Sequence, residues 1–128
     1  MTKSFKEYFP YDEIRDQQQH CIDSALETLV DKNKRFVIIE AGTGVGKSAI
    51  GLTIARYLNR NLLTADGYSG GSYFLTTQKI LQEQYENDFG GSNGPMKSLY
   101  SSSNYKCGYH KKNDCKSSQQ MLRTEKKG

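Results

Sequence analysis

The stretch EAGTGVGKSAIG, residues 40–51, gathers residue types that handle phosphate. Gly42, Gly44 and Gly46 alternate with other residues, and Lys47 and Ser48 follow directly. The general phosphate-binding pattern is a glycine, four residues, then Gly-Lys-Ser or Gly-Lys-Thr. Ala41 takes the first place here. A small residue suffices there, because the chain needs only a tight turn. The internal glycines let the backbone wrap closely with its N–H groups turned inward. Those donors, with the N-terminus of a following helix, suit a triphosphate. Lys47 is placed to reach the β- and γ-phosphates, and the Ser48 hydroxyl to help hold Mg²⁺. The competing reading is a glycine-rich turn with an incidental lysine. A strand before the loop and a helix after it separate the two readings.

Both flanks carry such patterns. RFVIIE, residues 35–40, is a short apolar run rich in β-branched residues, and it predicts a buried strand of a parallel sheet. KSAIGLTIARYL, residues 47–58, predicts a helix with Ile50, Ile54, Ala55 and Leu58 inward. Upstream, residues 12–31 predict an amphipathic helix. Ile14, Gln18, Cys21, Ile22, Ala25, Leu26, Leu29 and Val30 share its inner face, and Asp12 is the expected N-cap. Residues 1–11 read as irregular around Pro10. Downstream, residues 59–72 form a loop or weak hairpin, and YFLTT, residues 73–77, is a second strand. Residues 78–89 predict a helix with Ile80, Leu81, Tyr85 and Phe89 inward, ended by the Gly- and Pro-rich residues 90–95. From residue 96 no period stands out. This order is a βαβ unit preceded by a helix, so the expected fold is α/β with a parallel sheet and a right-handed crossover.

A chain of 128 residues with 35% hydrophobic content holds one domain at most, with a small core. No run approaches the ~20 apolar residues of a membrane span, and the N-terminus lacks the apolar stretch of a secretory signal. The expectation is a cytoplasmic protein with no membrane partner, in which Cys21, Cys107 and Cys115 stay reduced. Charge is uneven. Residues 1–96 carry 10 Lys/Arg against 12 Asp/Glu, a balance of −2; residues 97–128 carry 8 against 2, a balance of +6. Such a basic tail attracts polyanions when it is not simply a solvated end.

The glycine loop resembles the Walker A motif of superfamily 2 helicases, most of all the XPD/DinG-type DNA helicases. IRDQQ, residues 14–18, is similar to that family's R-x-x-Q element, with Arg15 and Gln18 matching. The resemblance implies that Gln18 reads the adenine edge; spacing alone allows a solvent-facing helix residue instead. YFLTTQKILQEQY is similar to motif Ia, which implies contact between Thr76, Thr77, Gln78 and the backbone of single-stranded DNA. Thr77 can also cap the helix that follows. SNYKC, residues 103–107, resembles the segment that bears the first cysteine ligand of the family's 4Fe–4S cluster, although Ser101 and Ser102 stand where the family shows Gly-Arg. Spacing alone leaves Cys107 and Cys115 as ordinary thiols, with His110 between them. The resemblance implies cluster ligation by Cys107, and less directly by Cys115, and a cluster needs two further cysteines.

The expected assignment is therefore a partial RecA-like P-loop domain over residues 1–95 and a basic, poorly structured tail over 96–128 that opens an iron–sulfur region. Nucleotide-binding candidates are Arg15, Gln18, Ala41, Gly42, Thr43, Gly44, Val45, Gly46, Lys47 and Ser48, with ATP and Mg²⁺ as cofactors. Hydrolysis also needs an apolar strand ending in Asp-Glu, and none of Asp66, Glu83, Glu86, Asp88, Asp114 or Glu125 follows a buried apolar run. The chain is expected to be the ATP-binding opening segment of a DNA helicase, with a second polypeptide as one source of the missing parts. A restriction-type or other P-loop DNA translocase subunit is the alternative enzyme. A non-hydrolytic nucleotide- or nucleic-acid-binding module is the alternative of another class.

Overall fold

The structure is a computed structural model and describes residues 4–61, 70–108 and 114–125. Four helices carry it: α1 (Asp16–Leu26), α2 (Lys47–Asn61), α3 (Lys79–Phe89) and α4 (Cys115–Glu125). The chain divides into two units, Met1–Leu75 and Thr76–Gly128.

In the first unit α1 starts four residues later than the periodicity suggests. Arg15 is extended, with φ −75° and ψ 148°, and acts as the N-cap. Gln18 at the third helical position folds back and accepts the Arg15 N–H at 3.1 Å, which satisfies a donor the helix cannot. Asp12 therefore lies outside the helix, while Asp16 puts a carboxylate in the first turn, where the helix dipole favours it. The far end widens into a π-turn over Glu27–Asp31. Asn33 then takes a left-handed conformation, φ 50°, and the Lys34 N–H reaches back to the Thr28 carbonyl at 3.0 Å. That is a Schellman-type stop, and asparagine tolerates it better than most residues do.

The core of this unit is helical. Ile22, Ala25 and Leu26 of α1 are fully buried, and so are Ala49, Ile50 and Thr53 of α2, or nearly so. Phe5 and Phe9 from the N-terminal segment close the cluster together with Tyr57. Residues 4–9 thus do packing work that their irregular pattern did not announce. The turn at Lys6–Tyr8 is held on α2 by an edge-on contact between Tyr8 and Tyr57, ring centroids 5.7 Å apart, and by Arg56, which donates to the Tyr8 carbonyl. Thr53 is buried because its hydroxyl donates to the Ala49 carbonyl at 2.7 Å, one turn back.

The expected parallel sheet is absent: the described residues contain no strand, so the α/β, RecA-like, βαβ assignment is corrected to a helical one. Residues 35–40 carry no regular structure, and Phe36 and Ile38 are 85% and 95% exposed. Only the alternate positions are partly covered, Val37 by half-burial and Ile39 beside α2. Residues 73–77 behave the same way. Tyr73 and Leu75 stand out in solvent, while the Phe74 ring lies over Gly51. Local propensity favours an extended chain at both places, but a strand exists only when another strand pairs with it. The two helices and the two phenylalanines have already buried each other.

In the second unit α3 begins at Lys79 with Gln78 as its N-cap. Phe89 is its buried residue and stacks near Tyr85, whereas Ile80, expected inward, is 70% exposed. Gly90 is buried and makes an isolated parallel bridge to Met96. Glu86 accepts from the Tyr100 hydroxyl at 3.2 Å, and Gln82 donates to the Leu99 carbonyl. The tail expected to lack structure contains α4, which follows an isolated antiparallel bridge between Lys106 and Asp114. Its sequence, CKSSQQMLRTE, is the most polar of the four helices, but Lys, Gln, Met, Leu and Arg are all good helix formers. Met121 and Leu122 are about half exposed. Among the described residues no helix is long and apolar enough to cross a membrane.

Candidate phosphate-binding site

The glycine loop sits between the exposed run at 35–40 and the first turn of α2. Gly44 and Gly46 have φ of +80° and +84°, a region that side chains with a β-carbon rarely enter. These are the two positions where the loop needs glycine for its path. Gly42 has no positive φ, and a β-carbon there would meet nothing within 4 Å.

Three successive carbonyls of the loop are bound by the protein itself. Gly44 accepts from the Arg15 guanidinium at 2.8 Å. Val45 accepts from the Gln18 amide at 2.9 Å. Gly46 accepts the N–H groups of Ala49 and Ile50 at 3.1 and 3.3 Å, which opens α2. In a planar trans peptide the next N–H points away from the carbonyl. The N–H groups of Val45, Gly46 and Lys47 therefore face away from the partners that hold the three carbonyls. N–H groups at the start of a helix favour an anion, and these three lead into the N-terminus of α2. Lys47 is exposed at the first position of α2 and Ser48, half-buried, is at the second. Ala41 and Val45 are half-buried, and Thr43 is exposed. The donor set, one mobile ammonium and one hydroxyl beside it, suits a polyphosphate with a divalent cation.

The structure thus brings Arg15 and Gln18 onto the loop, across 29 and 27 residues of sequence. The resemblance to the R-x-x-Q element paired them with each other, but nothing in the sequence pointed to the carbonyls they hold. A hollow of about 140 Å³ also opens beside Lys47, lined by Ile39, Ile50, Gly51 and Ile54. The sequence signal for it was present in Ile50 and Ile54, one turn apart with a glycine between them.

Thr76, Thr77 and Gln78 belong to the second unit. Thr77 and Gln78 are exposed, and the Thr76 hydroxyl accepts the Gln78 N–H at 3.4 Å. The helix cap is Gln78 rather than Thr77. Cys107 is half-buried in this unit, and Cys21 packs against the helical core of the first. His110 and the Cys115 side chain lie outside the described residues. Among the described residues no three His, Cys, Asp or Glu side chains gather where a metal ion could bind. With three cysteines in the chain and Cys21 committed to the helical core, a four-thiolate cluster does not fit the residues present.

The family model described as type III restriction enzyme, res subunit, matches residues 12–127. The chain belongs to this family. The res-subunit family is a superfamily 2 helicase-type P-loop family, with the ATP and Mg²⁺ use that such a domain implies. Its match covers the R-x-x-Q element, the loop and α1 to α4. No curated protein and no solved structure matches the chain.

Proposed function

We propose that residues 41–48 bind the triphosphate of ATP with Mg²⁺, and that the chain is the nucleotide-binding segment of an ATP-dependent DNA translocase of the restriction type. The observation that carries this is that the carbonyls of Gly44, Val45 and Gly46 are all taken by the protein where the loop enters α2. In this reading Lys47 counters the charge of the β- and γ-phosphates, and the Ser48 hydroxyl holds the cation. Thr76, Thr77 and Gln78 contact the backbone of single-stranded DNA, assisted by the basic residues beyond 96. A finer kinship with XPD/DinG-type helicases rests on Arg15, Gln18 and the 73–85 stretch. The iron–sulfur arm of that kinship, through Cys107 and Cys115, lacks two ligands.

Calorimetric titration of the full chain with Mg·ATP tests the reading. Saturable binding in wild type, weakened at least tenfold in Lys47→Ala with an unchanged helical circular dichroism spectrum, is the expected result. Equal binding by the two proteins overturns it. No Asp-Glu pair follows an apolar run, so the chain by itself is expected to bind without turnover. Phosphate release that Lys47→Ala abolishes contradicts that expectation.

A further inference from the structure

In the second unit, residues 99–104 are fastened along one face of α3. The Gln82 amide donates to the Leu99 carbonyl at 3.3 Å, the Tyr100 hydroxyl donates to Glu86 at 3.2 Å, and the Lys79 ammonium donates to the Asn104 side-chain oxygen at 2.9 Å. Positions 79, 82 and 86 are three and four residues apart, so they share that face. Leu99 meets the helix at Gln82 and Asn104 meets it at its first residue, so the segment runs back toward the start of α3. The turn at Ser102–Asn104 is closed by its own bonds, from the Asn104 amide to the carbonyl and hydroxyl of Ser101 and between the hydroxyls of Ser101 and Ser103. Tyr105 follows this turn. Its hydroxyl accepts the Tyr100 N–H at 2.9 Å, while 39% of the residue stays exposed. The ring is pinned at its far end and still open to solvent. Lys79 is exposed, and its ammonium keeps two further N–H donors beside the bond to Asn104. One hydrogen bond thus joins the tyrosine's segment to the residue that follows Thr76, Thr77 and Gln78.

We infer that Tyr105 is a stacking platform for one base of single-stranded DNA, and that Lys79 meets a phosphate of the same strand. This rests on the reading of Thr76, Thr77 and Gln78 as contacts to the DNA backbone, and extends that contact from backbone to base. Stacking needs only an open ring face, so it accepts any base. A ring already held in place gives up little freedom when a base settles on it. Charge points to the same occupant: residues 97–128 carry 8 Lys/Arg against 2 Asp/Glu, which a phosphate backbone complements.

The test uses the full chain and two probes of equal length: a single-stranded oligothymidylate, and an abasic strand that keeps the phosphates and lacks the bases. Anisotropy titrations at several salt concentrations give affinity and salt slope. Wild type is expected to bind the oligothymidylate more tightly than the abasic strand. Tyr105→Leu should lose roughly tenfold on the oligothymidylate and nothing on the abasic strand. Tyr105→Phe keeps the ring and should retain most of the preference. Lys79→Gln should weaken both probes by the same factor and lower the salt slope by about one. In wild type the Tyr105 ring proton resonances should move upfield with the oligothymidylate and not with the abasic strand, a readout that does not depend on how a variant folds. Equal wild-type affinity for the two probes overturns the stacking and leaves the backbone reading intact. So does a Tyr105→Leu variant that loses nothing, or loses equally on both. Unmoved ring resonances overturn it whatever the variants do. An unchanged salt slope in Lys79→Gln removes the lysine from the site. Wild type that binds neither probe defeats the backbone reading and the stacking together.

Discussion

The amide nitrogen of Gln18 lies 2.5 Å from the position of a β-carbon on Gly46, so the helix side chain and the loop glycine exclude each other's growth. The same loop contains a control. Gly44 has nearly the same φ, yet nothing lies within 4 Å of its β-carbon position.

Gly44→Ala should therefore cost only the left-handed backbone penalty, about 1–2 kcal/mol. Gly46→Ala adds the displacement of Gln18 and should be clearly the worse of the two. Thermal melts of both variants beside Mg·ATP titrations check this. Equal melting points and equal affinities would show that Gln18 yields without consequence.

Leu26, the last residue of α1, is fully buried in the cluster that Phe5, Phe9 and Tyr57 close. Leu26→Ala should lose roughly 2–5 kcal/mol, enough to melt a core this small at ordinary temperature. Ile38→Ala removes an isomeric aliphatic side chain of the same size at a site 95% exposed, and should stay within about 0.5 kcal/mol of wild type. Circular dichroism melts of the pair decide it, and the prediction falls if Ile38→Ala proves as damaging as Leu26→Ala.

Asn33 ends the first helical segment at φ 50°. Asn33→Gly should be neutral or slightly stabilising, while Asn33→Val should cost about 1–2 kcal/mol, because a β-branched residue resists that conformation. Denaturant midpoints give the order directly. A valine variant as stable as the glycine variant would mean that the Lys34 to Thr28 closure does not depend on the left-handed residue.

Gly90 lies where a β-carbon would meet the carbonyls of Glu86 and Met96, each at 2.6 Å. Both are main-chain atoms that cannot swing aside. Gly90→Ala should cost about 1–3 kcal/mol and loosen the bridge to Met96. Hydrogen exchange at the Gly90 amide, which donates to Glu86, is the measurement. Unchanged protection counts against the steric argument.

The parts of this molecule that sequence made legible are those with a local cause. α2 begins at Lys47 because the glycine loop delivers it there, and Ile50 and Ala55 fall inside as their spacing says. The loop glycines were readable because only a few residue types accept the backbone path of Gly44 and Gly46. What escaped depends on distant partners. The start of α1 moved to Asp16 because Gln18 caps Arg15, and the same two side chains reach a loop nearly thirty residues on. Phe5 and Phe9 have no period around Pro10, so their burial could not be read locally. RFVII and YFLTT have the composition of strands, but composition cannot supply the neighbour that pairing requires. α4 went unseen for another reason: its residues favour a helix individually, but it is the most polar of the four helices and offers few apolar positions to read.

The two bare runs, with Phe36 and Ile38 on one and Tyr73 and Leu75 on the other, set how the molecule behaves in concentrated solution. Chain without regular structure that carries large apolar side chains toward water invites pairing with another such chain. Crowding many copies together should raise light scattering well before heat disturbs the helices. Dilute samples, or a lysine placed at Ile38, are the conditions under which individual molecules persist.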